Sequence, residues 1–125
     1  MEEEEVKIAE LEETIKLHEK YEVEMDCWDE GIEQCRSKEI EILAENMSES
    51  EEYISTQISD KNFYWLSEVF VEIVEKTQSV NFYNTVKERL KTVANEEYKR
   101  SISVEIECIE GILGDALSQP ELPFK

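Results

Sequence analysis

Apolar residues recur along this chain in steps of three and four, the spacing that lines one face of an α-helix. Over residues 2–36, Ile8, Leu11, Ile15, His18, Met25, Ile32 and Cys35 share such a stripe, with Glu22 and Asp29 interrupting it. Leu17, Tyr21 and Trp28 form a second, partial stripe beside it. The pattern predicts one long helix or two in line. Gly31, in "WDEGIEQC", marks a candidate kink, since glycine inside a helix costs about 1 kcal/mol relative to alanine. His18 and Glu22 on the seam argue against a strong coiled coil. "SKEIEILAENM" predicts a short helix over 38–46 with Ile42 and Leu43 inward. Ser48 and Glu51 match a capping box, in which hydroxyl and carboxylate each satisfy a backbone N–H, so a helix carrying Tyr53, Ile54 and Ile58 should follow.

Ser59 or Asp60 is placed to cap the next helix, "FYWLSEVFVEIVEKTQ". There Phe63, Leu66, Phe70, Ile73 and Val74 share a face that Trp65 and Val69 widen. Tyr64, Glu68, Glu72 and Glu75 mark the opposite side. A stripe this wide must be covered on several sides, which predicts the central helix of the domain. "SVNFYNTVKERLKTV" follows with Phe82, Val86, Leu90 and Val93 inward, and "EEYKRSISVEIECIEGILGDAL" with Tyr98, Ile102, Ile106, Ile109 and Leu113. Val104 and Cys108 suggest a side contact. The β-branched run "SISVEIECI" leaves a strand open as an alternative. The expected fold is all-α: a single domain of about five to six antiparallel helices over 1–117, a bundle or a short α-solenoid-like stack. Residues 118–125 are expected to form a tail, because two prolines there stop regular structure.

Composition changes the picture mainly through charge. The net charge is −19, yet 40% of residues are hydrophobic, so the low hydrophobicity that disorder also requires is missing. Residues 1–60 hold 21 acidic and 5 basic side chains, or −16, and residues 61–125 hold 11 and 8, or −3. An acidic half of this kind repels nucleic acid and anionic membranes, and it speeds encounter with a basic protein. A solvated face that keeps the chain soluble is the plainer reading. Cys27, Cys35 and Cys108 are odd in number and lack Cys-x-x-Cys spacing, which points to reduced thiols and a cytoplasmic setting. The acidic start lacks the positive n-region of a signal peptide.

Candidate chemistry is sparse. The lone histidine, His18, has neither a His-x-x-x-His nor a Glu-x-x-His partner, which removes the common zinc-hydrolase and di-iron patterns. It reads as a half-buried structural residue. The three glycines build no phosphate loop, and Gly111 and Gly114 resemble helix-end or close-packing positions. No catalytic residue, metal or cofactor is expected.

"FYWLSEVFVEIVEKTQSVNFYNTVKERL" resembles a segment of small immunity proteins from bacterial polymorphic-toxin and contact-dependent growth inhibition systems. The matching positions are Tyr64, Trp65, Leu66, Ser67, Glu68, Val69, Phe70, Glu72, Lys76, Gln78, Ser79 and Phe82, within about a quarter of the chain. The resemblance implies a cytosolic, non-catalytic protein that neutralises one toxin, often a nuclease. It carries a fold signature and no contact surface. Independently, the acidic region with aromatic anchors points to a partner-binding set of Asp26, Trp28, Asp29, Glu30, Glu33, Glu49, Glu51, Glu52 and Tyr53. The partner expected is a toxin with a basic surface, met by a monomer or weak homodimer. A DNA-mimic inhibitor and a helical scaffold or adaptor are the alternatives.

Overall fold

The first two helices settle how the acidic half folds. The computed structural model describes residues 2–25 and 29–114, with side chains from Lys7 onward. α1 (Glu2–Val23) and α2 (Asp29–Glu45) lie side by side as the most extensively packed helix pair. Their register is antiparallel: Lys7 pairs with Glu45, Lys38 with Glu10 at 2.7 Å, and His18 with Glu39 further along. The expected continuous or in-line helix is therefore corrected to a hairpin. At the end of α1 the amides of Glu24 and Met25 both donate to the Lys20 carbonyl, closing the helix. Asp29 and Glu30 then open α2, where acidic groups favour the positive helix end. A straight helix over 2–36 would extend about 50 Å with one apolar stripe uncovered. Folding back buries Leu11 and Ile15 against the face that carries Cys35 and Leu43.

Gly31 lies buried inside α2, which runs on through the segment predicted as a separate short helix. The break falls at Asn46, whose side chain accepts from the Glu49 amide and caps α3 (Met47–Thr56). The expected capping box gives way to this earlier cap, and Ser48 is exposed in the first turn. Starting α3 there brings Ser50, Tyr53 and Ile54 inward. Ser50 donates to the Leu43 carbonyl, satisfying an orphan acceptor at the end of α2.

Ser59 caps α4 (Asp60–Leu66) as expected, accepting from the Asn62 amide. The predicted central helix is a bent rod: α4, a 3-10 turn at Ser67–Val69, and α5 (Phe70–Thr77). α6 (Val80–Leu90) and α7 (Glu96–Ile112) complete the described residues, capped by Ser79 and Asn95. Counting the bent rod once gives six helical rods among the described residues, with no strand. α7 thus replaces the strand alternative.

The central rod is covered by α1, α2 and α7. Phe63, Leu66, Val69, Phe70, Ile73 and Val74 are all fully buried, at roughly 1.5–3 kcal/mol per large side chain before chain entropy is subtracted. α3 packs against α6, carrying the same core outward through Ile54, Phe82 and Val86. Val104 and Cys108 are exposed and line no side contact. A Cβ added at Gly111 or Gly114 would meet nothing within 4 Å, so neither glycine serves close packing. The predicted tail lies outside the described residues.

Candidate functional site

Polar residues from four elements meet at His18, the polar member of the first apolar stripe. α1 supplies His18 and, one turn on, Glu22. α2 supplies Arg36 and Glu39, the 3-10 turn supplies Glu68, and α5 supplies Glu72. His18 is 0% exposed, so the half-buried histidine expected from sequence is corrected to a fully buried one. Its Nδ1 lies 3.0 Å from Glu39 Oε2, while Nε2 lies 3.1 Å from Glu22 Oε2 and 3.3 Å from Glu68 Oε1. The Trp65 ring sits 5.5 Å from the imidazole. Arg36 donates through Nη2 to the Glu68 carbonyl at 3.1 Å and to Glu72 Oε2 at 2.8 Å. Four carboxylates therefore surround one imidazole and one guanidinium.

The electrostatics follow from this crowding. Burial alone would push the His18 pKa down, but hydrogen bonds and charge from Glu39 and Glu68 outweigh it and hold it at about 10. At neutral pH the ring is an imidazolium that donates from both nitrogens. Burial pushes Glu39 up against the pull of His18. Glu22 is raised by burial and by the charge of Glu68. Glu68 is lowered: burial opposes this, and His18, Glu22 and Arg36 prevail. Glu39 Oε1 and Glu72 Oε1 are buried without a hydrogen-bond partner, a state that ordinarily costs about 1–3 kcal/mol or more for a charged group. A groove of about 450 Å³ borders the network, lined by Arg36, Tyr64, Ser67, Glu68, Glu72 and Glu105. Burial and Glu39 raise the nearby Cys35 thiol to about 11, so it stays protonated and unreactive at neutral pH.

The partner-binding set predicted from sequence separates into groups. Asp26 and Trp28 lie outside the described residues. Asp29, Glu30 and Glu33 are exposed on α2, and Glu52 is exposed on α3. Glu49 and Glu51 are half-buried. Tyr53 is corrected from a contact residue to a core residue: it is 1% exposed, and its hydroxyl donates to Glu12 Oε2 at 2.8 Å, tying α3 to α1. The α2 acids sit at the start of a helix about 24 Å long, and the α3 acids begin only after its far end. The set thus forms two patches.

The outer face of α2 is acidic for a structural reason. Its two cations are both engaged with other helices, Arg36 with Glu68 and Glu72, and Lys38 with Glu10. Asp29, Glu30 and Glu33 have no ion pair among the described residues, while Glu41 attracts Lys38 on the same helix. A shallow groove of about 340 Å³, lined by Glu33, Gln34, Ser37, Lys38 and Glu41, runs along this face.

Sequence reasoning missed the network around His18. The signal was three polar pairs at helical spacing: His18 with Glu22 inside an apolar stripe, Arg36 with Glu39, and Glu68 with Glu72 on the side read as polar. No family model matches the chain, and neither a curated protein nor a solved structure matches it.

Proposed function

We propose that this chain binds and neutralises a cognate bacterial protein toxin with a basic, nuclease-like surface, acting as an immunity protein by steric and electrostatic occlusion. The observation that carries the reading is the outer face of α2, which presents Asp29, Glu30, Glu33 and Glu41 while its own cations pair elsewhere. A rigid helix with a single-sign surface raises the encounter rate with a basic partner and penalises wrong ones. Glu52, with the half-buried Glu49 and Glu51, supplies a second acidic patch near the far end of α2. No turnover is involved. A DNA mimic needs carboxylates at regular spacing along one extended surface, and two separated patches do not favour it.

The test begins with a pull-down from cells of the protein's source at low and high salt, using the chain as bait. The expected result is one dominant basic partner that survives moderate salt and loses its activity when one equivalent of the chain is added. Reversing Asp29→Lys, Glu30→Lys and Glu33→Lys together should then weaken binding at least tenfold by calorimetry. Unchanged affinity overturns the assignment of this face. Recovery of several unrelated DNA-binding proteins, all released by salt, indicates mimicry, and recovery of the bait alone indicates a self-associating scaffold.

A further inference from the structure

We propose that His18 Nε2, Glu22 and Glu68 bind one divalent transition-metal ion, with Glu39 orienting the imidazole through Nδ1. The three groups each offer one ligand atom, and all three atoms lie within 4.8 Å of one another. The Nε2–Glu22 and Nε2–Glu68 separations are 3.1 and 3.3 Å. Ligands held at about 2.0–2.2 Å from zinc stand roughly 3.0–3.5 Å apart at octahedral or tetrahedral angles. The two separations from the imidazole nitrogen already have the spacing of a coordination shell.

Three further features fit an ion. Metal-bound histidines usually give their other ring nitrogen to a carboxylate, which fixes ring orientation and raises basicity; Glu39 Oε2 holds that position at 3.0 Å. Glu39 is 0% exposed, and its second oxygen has no hydrogen-bond partner, so the interior holds an acceptor that nothing present fully satisfies. Glu22 and Glu68 keep 26% and 28% of their side chains exposed, which leaves an ion a route from solvent. One imidazole and two carboxylates suit zinc, manganese or iron better than calcium or magnesium, whose shells are normally all oxygen.

In the metal-free state the proton on Nε2 does the ion's work, holding Glu22 and Glu68 at the ring. Binding exchanges them: the nitrogen gives its proton to solvent, and its lone pair goes to the metal. One proton of charge +1 leaves and one ion of charge +2 arrives, so the local charge rises by one. The ion would join α1 to the 3-10 turn of the central rod and stabilise that junction.

The single histidine makes the test direct. Zinc is titrated into chain labelled with ¹⁵N at histidine, in the absence of chelator. The His18 ring nitrogens are expected to shift and to saturate at one equivalent, with release of one proton, and the Tm is expected to rise with free zinc. Glu22→Gln and Glu68→Gln should each weaken this binding at least tenfold, and the exposed control Glu13→Gln should change it less than twofold. Circular dichroism checks that the variants are folded; Glu22, at a partly exposed position, is the safer of the two. Ring resonances that do not move in excess zinc overturn the proposal. So does wild-type affinity in Glu22→Gln, which would assign the zinc to scattered surface carboxylates.

Discussion

His18 and Glu39 stabilise one another only as a pair. Removing one partner of a buried ion pair leaves an uncompensated charge and costs about 3–5 kcal/mol, whereas replacing both with apolar groups is often neutral. His18→Leu is therefore expected to be severely destabilising and His18→Leu/Glu39→Leu to recover most of the loss. Urea unfolding measures both, and a double variant no more stable than the single one would refute the pairing argument. The same pair sets a pH dependence in the metal-free protein. The folded-state pKa of His18, about 10, stands above the ordinary 6.5, so the protonated ring favours the folded state. Its contribution is complete below about pH 6.5 and is lost as pH rises toward 10, by up to about 1.4 kcal/mol per unit. The groups facing the ring are Glu22 on α1, Glu39 on α2 and Glu68 on the 3-10 turn, with Arg36 beside Glu68. Cys35 adds a loss of the same sign only above its ordinary value of 9.0, so pH 6.5–8.5 reads the network around His18 without the thiol. Stability in a chelator should fall across that window while the ring stays cationic by NMR; a neutral ring at pH 7.5 would contradict both. Little of this was legible beforehand. Sequence separations of 21 and 50 residues divide His18 from Glu39 and Glu68, and an i,i+4 pair on one helix does not reveal what lies across from it.

Local chemistry decides where most of the elements begin. Ser59, Ser79 and Asn95 cap α4, α6 and α7, each accepting from the amide three residues on, and such caps are readable because the interaction is local. The errors fall where tertiary packing overrides a weak propensity. Gly31 costs a helix about 1 kcal/mol, less than the gain from keeping α2 whole so that Cys35, Glu39 and Leu43 face inward together. The central rod shows the reverse case. Its apolar stripe reads as continuous, while Ser67 donates to the Tyr64 carbonyl at 2.6 Å and the chain tightens into a 3-10 turn carrying Glu68. At the end of α5, Gln78 sits in the left-handed region at φ 54. A side chain there costs roughly 1–2 kcal/mol that glycine avoids, offset in part by the greater freedom of glycine when unfolded. Gln78 compensates by donating from Nε2 to the Val74 and Glu75 carbonyls, bonds that are at most half-buried. Gln78→Gly is expected to stabilise the chain by about 0.5–1 kcal/mol, and Gln78→Val to destabilise it by at least as much. If the glycine variant unfolds at lower urea than wild type, the side-chain bonds outweigh the strain.

At the scale of the molecule, the net charge of −19 matters less than its placement. Three of the five cations in residues 1–60 are used internally, Lys7 on Glu45, Lys38 on Glu10, and Arg36 on Glu68 and Glu72. They hold the scaffold together and leave the first turns of α2 repelling themselves. Glu33 is the sharpest instance, since Asp29 and Glu30 precede it by four and three residues on the same helix, and like charges at that spacing are destabilising. If the face exists to meet a basic partner, stability and binding should move in opposite directions there. Glu33→Lys converts two repulsions into two attractions in the favourable orientation, with the acid N-terminal to the base. The free chain is expected to gain about 0.5–1 kcal/mol, and the gain should shrink as salt is raised from about 0.02 M to 0.3 M and screening shortens the range of the interaction. Against the partner recovered by pull-down, the same variant should slow association several-fold while changing dissociation less, the signature of lost electrostatic steering. Stopped-flow mixing separates the two rates. A variant that is more stable yet associates at the wild-type rate would mean that the acidity of α2 serves solubility, and would move the search for the contact surface to the α3 patch.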